Sequence, residues 1–216
     1  MPMRTEPAQL LLLLNWMSPT FPIGSFAYSH GLEQAIADGR LKDTKRVEAW
    51  IADLLLHGSG WNDAILFARC WDGDVEELNA LALALASSRE RYLETTQLGR
   101  AFSIAAAVWT RSEPGQNEVA YPVAAGRTCA NSGVAQDRAL LAFVQGFCAA
   151  LVSVAVRLVP LGQTQGLEVL RNLAPVIQRV ALDAAAASLD DIGGCSIAAD
   201  IAAMQHEMLE PRIFRT

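Results

Sequence analysis

Apolar residues recur along most of this chain with the period of an α-helix, and nowhere with the alternation of a strand. In Asp43–His57, the residues Val47, Trp50, Ile51, Leu54 and Leu55 fall at i, i+3, i+4, i+7 and i+8, one stripe of a helix. Leu140, Val144, Phe147, Cys148, Leu151 and Ala155 repeat the pattern. So do Val169, Leu173, Val176, Ile177 and Val180, with Pro175 predicted to kink that element. Trp61–Trp71, Val75–Ala86 and Arg89–Trp109 are further helical segments, rich in Ala and Leu. Breaks fall near 18–27, 58–60, 72–74, 112–118, 131–134, 158–163 and 188–196, with Gly58-Ser59-Gly60 read as a helix stop. These segments predict an all-α, single-domain bundle of about eight to ten helices covering residues 1–216, with a flexible C-terminal tail from about residue 204.

The bulk balance narrows the partners. Charged residues make up 19% of the chain, below the ~25% usual for a soluble domain. That leaves apolar surface for a partner or a second copy. The net charge is −6 and no basic block is present, so no nucleic acid is expected. Cys70, Cys129, Cys148 and Cys195 form no CxxC pair, as suits reduced thiols in a cytoplasmic protein. Leu10–Leu14 is far shorter than the ~20 residues that span a bilayer. It is predicted to be a buried helix, and no membrane partner is expected.

No catalytic signature emerges. GxxxxGK[ST], GxGxxG and GxSxG are all absent, so neither a phosphate cradle nor a nucleophile elbow is encoded. His30 and Glu33 share a helix face at i, i+3, and an acid–base enzyme built on them is the rival reading. His206 and Cys195 are weak candidates for transient metal contact, without a ligand set around either. No tightly bound cofactor is expected.

Two segments break the helical monotony. In Ser18–Glu33, Pro19 and Pro22 exclude helix, Gly24 permits a tight turn, and Phe21, Ile23, Phe26 and Tyr28 crowd four large apolar groups into eight residues. A loop of that composition must fold on the core or form a binding edge. Ser29 is predicted to cap a helix starting at His30. In the tail, Pro211-Arg212-Ile213-Phe214-Arg215-Thr216 alternates cations with bulky apolar residues. Either it packs back on its own domain or it orders on a partner, with Phe214 in a pocket and Arg212 and Arg215 on carboxylates.

SPTFPIGSFAYSHGLE (18–33), RLVPLGQTQG (157–166) and HEMLEPRIFRT (206–216) together resemble the UreF family of urease accessory proteins, in order and at the right spacing over essentially the whole chain. Ser25 stands where many members carry a second glycine, and Ile213 and Thr216 stand for a more usual Leu and Ser. The resemblance implies a non-catalytic, cytoplasmic, dimeric protein in complex with the UreD/UreH scaffold and the GTPase UreG. That complex would act on the urease apoprotein to install nickel with a carbamylated lysine, nickel passing through it and GTP being bound by the partner alone. It further implies that Glu210–Thr216 docks on the scaffold. Phe21, Pro22, Gly24, Phe26, Ser29, His30 and Glu33 would form the face toward the GTPase. Gly99, Arg100 and Gln163 also look like family positions.

Overall fold

The computed structural model describes residues 6–111, 113 and 118–216. Among them are ten α-helices and no strand: α1 Glu6–Trp16, α2 Leu32–Ala37, α3 Thr44–His57, α4 Ser59–Arg69, α5 Val75–Ala84, α6 Arg89–Thr110, α7 Tyr121–Asn131, α8 Gln136–Leu158, α9 Gln163–Ala186 and α10 Ile197–His206. The all-α prediction holds. The helix starts are chemically marked. Asp43 accepts the Arg46 amide at 2.9 Å, Asp74 accepts those of Glu76 and Glu77, and Ser88 accepts that of Arg91 at 3.1 Å. Each such cap is worth about 1 kcal/mol.

α8 is the axle of the bundle. Its Leu140, Phe143, Val144, Cys148, Leu151 and Ala155 are buried, and it touches α1, α2, α3, α4, α7 and α9. α8 is long and apolar enough to cross a membrane, but about half of its apolar stretch is buried inside the chain, as in a core helix. α9 lies along α8 and also covers α3 and α4, while α6 packs on α7. The last pairing is close: a Cβ on Gly99 would sit 1.8 Å from the Val119 carbonyl oxygen. α5 covers a smaller cluster of Leu66, Cys70, Leu78, Ala82, Ala120 and Val123.

Several local expectations change. α9 continues as helix through Pro175, because neighbouring turns and packing on α3, α4 and α8 offset the lost hydrogen bond. Gly58 alone ends α3, and Ser59 and Gly60 already belong to α4. α1 is not a buried helix throughout: Leu12, Leu13 and Trp16 face the core, while Leu10, Leu11 and Leu14 are exposed. A run of five leucines wraps every side of a helix, so one packed face must leave others bare. The tail folds back on the loop before α2, with Phe214 in the main core and Thr216 fully buried.

Candidate functional site

The two segments singled out in the sequence meet at one place. Between α1 and α2 the chain turns at Gly24 (φ 78°), makes a single 3-10 turn over Ser25–Ala27, and then takes positive φ at both His30 (49°) and Gly31 (76°). Gly31 is required there: a Cβ would lie 2.7 Å from the Ala199 carbonyl oxygen of α10. α2 therefore starts at Leu32 rather than at His30, and its N-cap is Gly31, not Ser29; from two residues earlier, the Ser29 hydroxyl still accepts the Glu33 amide at 3.2 Å.

Glu33 is the hub. One carboxylate oxygen accepts the Ile213 amide at 2.7 Å, and the other accepts the Phe214 amide at 2.8 Å and lies 2.9 Å from His206 Nε2. His206 is fully buried, and its Nδ1 is 2.7 Å from Glu90, which also pairs with Arg212. A carboxylate that takes two backbone N–H groups from the tail, with the His206 ring against it, acts as a clasp, since leaving either amide unpaired in the interior costs about 1–3 kcal/mol.

The end of the chain is held beside it. The Ser29 amide donates to the Thr216 carbonyl at 2.9 Å, and the Ser29 hydroxyl donates to the same oxygen. The Thr216 hydroxyl donates to Glu94 at 3.1 Å, and the Arg215 amide donates to Ala27 at 2.8 Å. Behind this, His30 Nε2 is 2.8 Å from Glu94, which Arg91 also pairs. Burial, then the Arg91 guanidinium, pushes His30 below its usual range. The same Nε2 lies 3.1 Å from the Arg91 guanidinium, and Nδ1 faces the Ser59 hydroxyl at 3.4 Å. Burial opposes ionisation of Glu94, but Arg91 and His30 outweigh it and hold the carboxyl at about 2.

The predicted residues thus divide. Glu33, Ser29, His30, Arg212, Phe214 and the Arg215 backbone converge on the clasp, while Phe21 packs on Phe102 at 5.5 Å and belongs to the core. Pro22 and Phe26 face outward, Phe26 with 53% of its surface accessible and Arg157 5.9 Å above its ring. His206 is a structural partner of two carboxylates, not an available metal ligand. Cys195 is exposed beside Asp200 at the other end of α10, ~15 Å of helix away. Among the described residues no three His, Cys, Asp or Glu are placed to hold a metal ion.

Glu90, Arg91 and Glu94 were missed, because charges in the first turns of a helix read as solvated. Their i, i+4 spacing, which puts Glu90 and Glu94 on one face, is the only signal that marked them. Also missed was the stripe that runs from the clasp along α10. Ile197, Ile201, Met204 and Met208 are 68%, 46%, 50% and 85% accessible. Ala199, Ala202, Ala203 and His206 on the opposite side are buried. Ile213 of the tail is exposed as well.

A family model described as UreF matches residues 41–174. The urease accessory protein UreF of Roseobacter denitrificans is 47% identical, covering 95% of this chain and 93% of its own length. Those of Mesorhizobium japonicum and Rhizobium leguminosarum bv. viciae are 44% and 45% identical, covering 96% and 98% of this chain and the same shares of their own.

Proposed function

We propose, from the premise that the chain belongs to the UreF family of urease accessory proteins, that it serves urease maturation as an adaptor that grips other proteins and catalyses nothing itself. The observation that carries this reading is the exposed stripe Ile197, Ile201, Met204 and Met208, with Ile213 of the clasped tail exposed as well. Four large apolar side chains at helical spacing, 46–85% accessible, stand to gain about 1–2 kcal/mol each when covered. The occupant proposed is the scaffold protein UreD/UreH.

The outward Phe26 and Pro22, on the loop that the tail fastens, form the proposed face toward the GTPase UreG. Tail and loop are joined through Glu33 and Ser29, so a scaffold that favours the docked tail would also favour one arrangement of the loop. Such an adaptor works by differential affinity for two states of its partners. Nickel is cargo of the assembled complex in this reading, and GTP stays on the GTPase. A second copy of the chain is proposed to cover the bare leucines of α1.

Co-expression with the scaffold protein tests the first contact. The intact chain is expected to co-purify as a stable complex, and deletion of Glu210–Thr216 is expected to abolish it. Full binding by the truncated chain would overturn the tail's part in docking.

A further inference from the structure

Between the 17–28 loop and α8 lies a cavity of about 220 Å³. Small residues on one side of α8, namely Gly146, Ala149, Ala150 and Ser153, leave the room for it, and Trp16, Leu98, Phe143 and Phe147 supply apolar walls. An apolar cavity of ~150 Å³ already accommodates benzene in a well-studied protein.

Besides Tyr28 and three serine hydroxyls, four polar side chains line the inner part of the same space: Asp63 of α4, Tyr121 of α7, Glu94 of α6 and His30. Three of these have little to offer a charged ligand. His30 and Glu94 are committed to each other, to Arg91 and to Thr216, and Tyr121 is an uncharged phenol. Asp63 differs. Among the described residues it accepts no hydrogen bond, and its nearest cation is Arg91 at 4.0 Å, which Glu94 already engages. About 21% of its side chain is accessible, and it belongs to the lining of the cavity. A partly shielded carboxylate with no protein donor on it is free to take one from a ligand.

We infer that this cavity binds a small organic cation, a compact apolar body carrying one ammonium group, with the ammonium on Asp63 and the body against the aromatic walls. Pockets of this kind, mostly apolar with one well-placed charge, are the usual form of small-molecule sites. The aromatic rings add attraction for a cation, and the carboxylate disfavours anions. A bare divalent ion does not fit, since a single free carboxylate falls short of its ligand set. Burial pushes the Asp63 carboxyl up to about 6, with Arg91 pulling against that rise and Glu94 adding to it. The titratable and charged groups that face Asp63 or share its cavity are Arg91 and Glu94 of α6, Tyr28, His30 and Tyr121. Binding therefore strengthens as pH rises through that range, while the amine stays protonated.

Isothermal titration of the full chain with benzylamine, against benzyl alcohol of the same shape, tests the inference. At about pH 7.5, benzylamine is expected to saturate with Kd at or below ~1 mM, and benzyl alcohol to bind at least about tenfold more weakly. Asp63→Asn is expected to remove the preference for the amine. Ala150→Leu is expected to block both ligands while leaving the circular dichroism spectrum unchanged. Equal affinity for amine and alcohol, an unchanged preference in Asp63→Asn, or no saturation by ~10 mM would each overturn it.

Discussion

Glu33 and Asp63 are both carboxylates inside the fold, and they do opposite things. Glu33 accepts two amides of the tail and lies against His206, so removing it should free the tail without unfolding the bundle. Glu33→Ala is expected to raise amide exchange at Ile213 and Phe214 by about a hundredfold, consistent with ~3 kcal/mol of local opening. Urease activation should fall with it, and unchanged exchange would show that the clasp does not hold the tail. Asp63 has no donor, and its folded-state carboxyl is raised from 3.8 to about 6. A raised carboxyl binds its proton more tightly in the folded chain, so stability is lost as pH climbs from about 4 to about 6. Asp63→Asn should therefore be stabilising at pH ~8, by about 2 kcal/mol, and nearly neutral at pH ~4; urea midpoints at the two pH values check this. The sequence pointed to Glu33 through its motif, but not to its partners. Those lie some 180 residues away, and nothing local marks a contact across that distance. Asp63 was invisible, because a cavity arises from how several helices pack and not from any one of them.

At the scale of the element, the helices were legible and their surroundings less so. The 3.6-residue period is a local property, and α3, α4, α5 and α6 lie within two residues or so of their predicted bounds. What faces a helix is not local. Five leucines in α1 give no hint of which side is bare, and the apolar side chains of α10 sit opposite a row of alanines that is small enough to be the packed side. Gly31 joins the two levels, because its positive φ starts α2 and its missing side chain admits α10. Gly31→Ala combines backbone strain with a clash against the Ala199 carbonyl and is expected to cost about 2–3 kcal/mol. A drop in melting temperature together with protease sensitivity of 204–216 is the expected sign; an unchanged melting temperature would mean that α10 yields easily.

For the whole molecule, the change from sequence to structure lies in how the two unusual segments relate. Read separately, the loop and the tail were two interfaces. In the fold, Glu33, Ser29 and Glu94 bind the tail to the loop, and α10 extends the joined surface with an apolar stripe. Partner docking on the stripe and the position of the loop then share one structural element, which is what linkage between two binding events requires. The central claim is that this stripe meets the scaffold protein, and the most direct measurement is co-purification of Ile201→Glu with it. Ile201 is outward-facing and the helix keeps its packed alanines, so the variant should fold normally. The account expects loss of the complex, with a circular dichroism spectrum and melting temperature matching the parent chain. A complex recovered at parental yield would contradict it.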